Sequence, residues 1–218
     1  MDEIIRLEPD LVIGFSDIQA DIAQALIKRG IEVWIANHRS VEGIVAYVRR
    51  LGSMVGAAEK SDRYAAQLEA HVTAVRDAAS RLPRRPRVYF EEWDEPPISC
   101  IRWVSELIRI AGGDDIFPER AACPLGRDRI LEDPGEVIRR APDVIVGSWC
   151  GKKFRSEKVA ARPGWSEIPA VRNAELHEVK SPAILQPGPA ALTDGLDALH
   201  RIFARWSVKD SATQGVAA

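Results

Sequence analysis

The chain has 218 residues, of which 46% are hydrophobic and 28% charged, a balance that supports a packed core and excludes disordered or collagen-like classes. Thirty basic residues against 32 acidic ones leave a formal charge of -2, so no overall basic character argues for a nucleic-acid partner. Cys100, Cys123 and Cys150 form no CxxC pair and leave room for at most one bridge; His38, His71, His177 and His200 stand far apart, and no metal site is expected.

Residues 1–6 show no basic stretch followed by an apolar one, and no later run approaches a membrane span, so the chain as written is expected to stay where it is made, in the cytoplasm. Leu11-Val12-Ile13-Gly14, behind the Pro9-Asp10 stop, reads as a strand buried on both faces. A helix over 22–29 closed by Gly30 and a strand over 31–36 follow, then a helix over 41–51 ending at Gly52. Residues 57–82 contain no Gly or Pro and place Tyr64, Leu68, His71, Val72 and Val75 at helical spacing. At 1.5 Å per residue such a helix spans roughly 35 to 40 Å, enough to bridge two small lobes. Pro83 and Pro86 stop it before a strand over 87–91.

A helix over 99–110, ended by Gly112-Gly113, and another opened by Pro134 lead to an internal echo. Glu136-Val137-Ile138-Arg139-Arg140-Ala141-Pro142-Asp143-Val144-Ile145-Val146-Gly147 repeats the order of residues 3–14, with Glu, Ile, Arg, Pro, Asp and Gly in register. Each copy heads an α/β unit: helix end, Pro-Asp stop, apolar strand, Gly. A strand over 175–179 and a last helix over 190–206, opened by Gln186-Pro187-Gly188-Pro189, complete the second unit. The expected architecture is two Rossmann-like α/β lobes joined by a long backbone helix: an incomplete first lobe over 1–55, the connecting helix over 56–84, a second lobe over 85–208 and a flexible tail over 209–218.

Ligands of open α/β sheets settle at the carboxyl ends of the strands. Those ends supply Phe15 and Ser16, then His38, then the loop from Glu92 and Trp93 to Pro97, then Trp149, and last the segment reaching Gln186. The aromatic members suit a large flat ligand with polar edges. The acidic run Glu91, Glu92, Asp94, Glu95 could serve acid–base work or a hard cation, but no His or Lys is patterned beside it, and a strand-end loop carries charge because it is wet. No GxGxxG follows a strand, and GxxxxGK[ST] and GxSxG are absent, so catalytic residues are not expected.

Taken in order, Glu8-Pro9-Asp10-Leu11-Val12-Ile13, Arg50-Leu51-Gly52, Arg87-Val88-Tyr89-Phe90-Glu91-Glu92-Trp93, Ala111-Gly112-Gly113-Asp114-Asp115-Ile116-Phe117 and Ala141-Pro142-Asp143-Val144-Ile145-Val146 resemble the periplasmic binding proteins of ABC importers for cobalamin and ferric siderophores. The Glu-Glu-Trp-Asp-Glu-Pro-Pro loop is most similar to the cobalamin-binding branch. The resemblance implies a non-enzymatic, periplasmic, two-lobed carrier with a corrinoid such as vitamin B12 in its cleft, as cargo rather than cofactor. It further implies docking on an ABC permease through Asp21 and Glu157, an aromatic pocket residue at Phe15, Trp93 on the opposite wall, and Gln186 where some members carry a basic group. A ferric siderophore or haem is the alternative cargo; an anionic one would favour His38, Arg39, Lys152, Lys153 and Arg155. An α/β enzyme binding a nucleotide or corrinoid, and an interaction module that binds no small molecule, are the competing classes.

Overall fold

The computed structural model describes residues 1–214 and divides the chain into a unit of Met1–His38 and a second unit beginning at Arg39. In the first unit, α1 (Asp2–Arg6), β1 (Val12–Phe15), α2 (Ala20–Ile27) and β2 (Val33–Ala36) form a βαβ arrangement in which β1 and β2 pair in parallel, Val12 opposite Val33 and Phe15 opposite Ala36. Its buried core is small: Ala23, Leu26 and Ala36 are covered, whereas Ile18 is 79% exposed.

The second unit opens with α3 (Val41–Met54), capped by the Ser40 hydroxyl, which accepts from the Gly43 N–H at 3.0 Å. The helix does not stop at Gly52 as its sequence suggests but runs on to Met54. Gly52 is the point where α3 meets α4 (Ala58–Ala79): a Cβ there would lie 2.1 Å from the Ser61 hydroxyl oxygen. The absent side chain serves close packing, not termination. Along α4 the buried positions are Ser61, Ala65, Leu68, Val72, Val75 and Ala79, a stripe alternating in steps of four and three. Tyr64, expected in that stripe, is exposed, and His71 lies beside it, half-buried, with Nε2 2.9 Å from Asp197 Oδ1. Helix α3 packs on α4, so it belongs to the second unit although sequence reading placed residues up to 55 in the first.

The sheet follows: β3 (Arg87–Asp94), β4 (Pro97–Ser99), α5 (Arg102–Ala111), β5 (Asp114–Asp115), α6 (Pro118–Ala121), α7 (Gly135–Arg140), β6 (Val144–Gly147), α8 (Ser156–Ala160), α9 (Pro169–Arg172), β7 (Leu176–Glu178), α10 (Ser181–Ile184) and α11 (Leu196–Gln214). Strand order is β4-β3-β6-β7, with β5 beside the start of β3; every pairing is parallel except that of β4. All four residues of β6 are buried, as a strand covered on both faces requires. One face packs Tyr89 and Ile145 with Trp165 and Phe117. On the other, Gly113 lets Val88, Ile108 and Phe203 close in, because a Cβ there would come within 3.2 Å of all three. The segment from 209 onward, expected as a tail, is helical through Gln214; residues 215–218 lie outside the described residues.

The sequence echo is also a conformational one. Glu8 (φ 47°) and Ala141 (φ 43°) occupy equivalent positions, each left-handed and each directly before the proline that precedes its strand. A left-handed residue followed by proline ends a helix twice over, since the proline cannot continue it.

Candidate functional site

The acidic run is not a wet loop. Strand β3 continues through Glu91, Glu92 and Trp93 to Asp94, and only Glu95-Pro96 form the turn into β4. Glu91 is wholly buried and accepts from both Arg162 nitrogens at 2.6 and 2.9 Å, from the Tyr89 hydroxyl at 3.0 Å and from the Trp149 indole N–H at 3.1 Å. Glu92 takes a two-pronged pair at 2.6 and 3.2 Å from Arg129, itself only 2% exposed. Asp94 accepts from Lys152 and, at 3.1 Å, from Lys158. Burial alone would raise the Asp94 carboxyl, but hydrogen bonds from the two lysines outweigh it and hold it below the usual carboxylate range. Each of these three carboxylates is therefore held by a basic side chain.

The strand-end residues expected to form a pocket separate into two groups. Trp149 is 3% exposed, edge-on to Phe154 at 5.0 Å, with its N–H held by Glu91: it is a core residue whose edge reaches the surface beside Asp94. Glu92 is tied to Arg129, and the Pro97 carbonyl accepts from the Leu131 N–H at 2.8 Å; both shape the β3–β4 hairpin. Trp93 remains half-buried at the surface, its indole N–H donating to the Glu95 carbonyl at 2.9 Å and the Lys152 ammonium 4.0 Å from its ring centroid. Gln186 is exposed, and its backbone carbonyl accepts from Gly188 N–H at 2.8 Å. Glu157 is exposed in the first turn of α8.

In the first unit, Phe15 and His38 meet edge to face at 5.3 Å at the carboxyl ends of β1 and β2. Ser16 is buried and left-handed (φ 74°), with its hydroxyl 2.7 Å from Asp17. Asp21 is exposed in the first turn of α2.

The loop after β6, which supplies Trp149 and the Lys152, Lys153 and Arg155 expected for an anionic cargo, gains Lys158 as a neighbour that the sequence did not point to. Trp149 and Phe154, both buried, pin it at its two ends; Gly147 admits the Phe154 ring, whose nearest atom would lie 1.9 Å from a Cβ; and Gly151 turns the chain at φ 73°. Lys152 and Lys153 are thereby presented outward, and Arg155 and Lys158 join them around a depression of about 440 Å³ floored by Asp94 and Trp149. A larger concavity of about 530 Å³ lies among α3, α4 and α5; it mixes Glu42, Glu69 and Glu106 with Arg76 and Arg109.

Comparisons with known proteins agree with this architecture. The vitamin B12-binding protein of Vibrio campbellii is 27% identical over 196 residues, which cover 86% of this chain and 66% of that protein, so the chain spans about two thirds of its relative's length. Among solved structures, the periplasmic haem-binding protein RhuT of Roseiflexus sp. RS-1 superposes with a TM-score of 0.74 at 26% identity, over 91% of this chain and 78% of that one. The periplasmic vitamin B12 binding protein BtuF of Vibrio cholerae gives 0.71 at 19%, over 94% and 78%. Residues 1–183 match the family model described as periplasmic binding protein. The chain belongs to the periplasmic binding protein family, whose members bind and carry ligands and are not enzymes.

Proposed function

We propose that the protein is the substrate-binding component of an ABC importer, acting in the periplasm, and that it carries a corrinoid of the vitamin B12 type. The reading rests on the kinship with vitamin B12-binding proteins, together with one structural observation: Trp93, at the carboxyl end of β3, stands half-buried at the surface, where an aromatic side chain gives a flat macrocycle contact area at low entropy cost. Phe15 beside His38 offers a second aromatic edge in the first unit. Asp21 and Glu157, each exposed in the first turn of a helix, are the residues we assign to permease docking. The paired state of Glu91, Glu92 and Asp94 argues against the enzyme alternative.

The basic loop after β6 favours a second reading, in which the cargo is haem or an anionic ferric siderophore. Titration with cyanocobalamin and with haemin, followed by tryptophan quenching and calorimetry, decides between them. Saturable corrinoid binding weakened by both Trp93→Ala and Phe15→Ala supports the first reading. Binding of haemin alone replaces it with the second, and binding of neither removes both.

A further inference from the structure

Tyr64 stands outside the buried stripe of α4, 42% exposed, and beside it a hollow opens on the α3–α4 hairpin. The hollow measures about 310 Å³ and is lined by Tyr47, Val48 and Leu51 of α3, by Val55 at its C-cap, by Tyr64, and by Pro189 from the segment ahead of α11. Positions 48, 51 and 55 follow at steps of three and four, so their aliphatic side chains share one side of the helix. Ser61, where the helices close on Gly52, spends its hydroxyl on the Ala58 carbonyl at 2.8 Å. The walls are therefore almost wholly apolar. Met54, 47% exposed, and Val55, 61% exposed, carry that apolar surface out to the tip of the hairpin. Singly scattered surface hydrophobes call for no explanation, but a contiguous apolar hollow facing solvent marks a binding surface.

The charges at this end of the hairpin are unevenly matched. Arg49 is engaged by Glu69 at 2.8 Å and by Asp62 at 3.7 Å, and Arg63 by Glu59 at 2.8 Å. Lys60, the one charged residue lining the hollow, makes no ion pair among the described residues. An apolar pocket with a single polar group fixes what a ligand carries and where. Walls without free donors or acceptors accept a hydrocarbon body and penalise any polar group along it, whose hydrogen bonds to water would be lost. The ammonium of Lys60 selects a negative head, which stays partly in water beside a flexible side chain.

We infer that this hollow is a binding site for a monoanionic alkyl amphiphile of the free fatty-acid type, with its chain along Val48, Leu51, Val55 and Tyr64 and its carboxylate at Lys60. The site lies wholly within the second unit and shares no residue with the strand ends to which the cargo is assigned, so it stands or falls independently of the carrier reading.

The test titrates the full chain with hexanoate, octanoate and decanoate below their aggregation concentrations, followed by calorimetry and by the methyl resonances of Val48, Leu51 and Val55. Decyltrimethylammonium supplies the longest hydrocarbon with the opposite charge. The variants are Val55→Asp and Lys60→Glu, both at exposed positions, and thermal unfolding checks that each folds. Affinity is expected to rise by up to about fourfold per added methylene, the gain of burying one such group. Decanoate should outbind decyltrimethylammonium by about three- to tenfold, the range of an exposed charge contact made against one opposed. Lys60→Glu should invert the head-group preference and keep the dependence on chain length, a split that a merely structural lysine would not produce. Val55→Asp should weaken all three alkanoates severalfold. Binding that moves the Trp93 indole and leaves these methyls in place would assign the alkyl chain to the strand-end site and overturn the inference, as would an affinity independent of chain length. Equal affinity for the two head groups overturns the fatty-acid class. Absence of alkanoate binding overturns the site altogether, and methyl shifts that then follow protein concentration or added phosphatidylglycerol vesicles identify the hollow as a contact with a second copy or with a membrane.

Discussion

The Arg162 guanidinium closes on the buried Glu91 carboxylate at 2.6 and 2.9 Å, tying the loop after α8 to the middle strand of the second unit. Glu91 is fully covered, so removing its partner strands a charge with no access to water. Arg162→Ala is expected to lose about 3 to 5 kcal/mol of stability, the usual cost of breaking a buried pair from one side. Arg162→Ala/Glu91→Gln should recover part of that, because the stranded charge is gone. Chemical denaturation of the two variants checks both statements, and a double variant no better than the single would refute the stranded-charge account.

Acid sensitivity follows from Asp94. Its carboxyl is held below the ordinary range in the folded protein, so its ion pairs contribute stability that is present above the unfolded-state value and lost as pH falls through the folded one. Asp94→Asn lacks that contribution at every pH. Wild type is therefore expected to exceed Asp94→Asn in melting temperature at neutral pH, with the gap closing as pH falls through and below the ordinary carboxylate range. A gap that stays constant into acid would show that the carboxylate's charge is not what the lysines stabilise.

Periodicity and punctuation carried most of the fold. The 22 residues of α4 lack any helix breaker, the Pro-Asp stops set the starts of β1 and β6, and the echo over 133 residues marks the two segments that share a left-handed residue, a proline and a strand. Gly52 misled because a glycine that ends a helix and one that admits a neighbouring helix look alike until the neighbour is in place. The site was less legible for a related reason. Glu91 and Glu92 are adjacent in sequence but find Arg162 and Arg129, 71 and 37 residues away, and nothing local marks either arginine as a partner. Trp93 and Trp149 both follow apolar runs; only the tertiary packing of Phe154 and Glu91 separates the buried one from the accessible one.

Gly52 yields a test of the α3–α4 contact. Gly52→Ala puts a methyl group 2.1 Å from the Ser61 hydroxyl oxygen and 2.2 Å from Ser61 Cβ, so the helices must separate, at an expected cost of about 1 to 3 kcal/mol. Ser61→Gly in the same chain removes both offending atoms and should restore part of the loss, less the roughly 1 kcal/mol that glycine costs in a helix interior. Urea unfolding of the single and double variants measures the coupling, and strictly additive effects would mean that the two residues do not meet.

The two tryptophans at the carboxyl ends of β3 and β6 are expected to part company on substitution. Trp149 fills the core against Phe154 and satisfies Glu91, so Trp149→Ala should cost about 3 to 5 kcal/mol, and more where Glu91 loses a donor. Among the described residues Trp93 is tied through its own hairpin carbonyl and Lys152, so Trp93→Ala should shift stability by no more than about 0.5 to 1 kcal/mol. If the half-buried indole meets the macrocycle, that same variant should nonetheless weaken corrinoid binding about tenfold, which is the loss of one aromatic contact in a binding site. Thermal unfolding and calorimetric titration of the same two preparations separate the effects. Should Trp93→Ala melt early, or Trp149→Ala fold normally and lose only binding, the roles assigned to the pair would have to be exchanged, and with them the wall of the pocket.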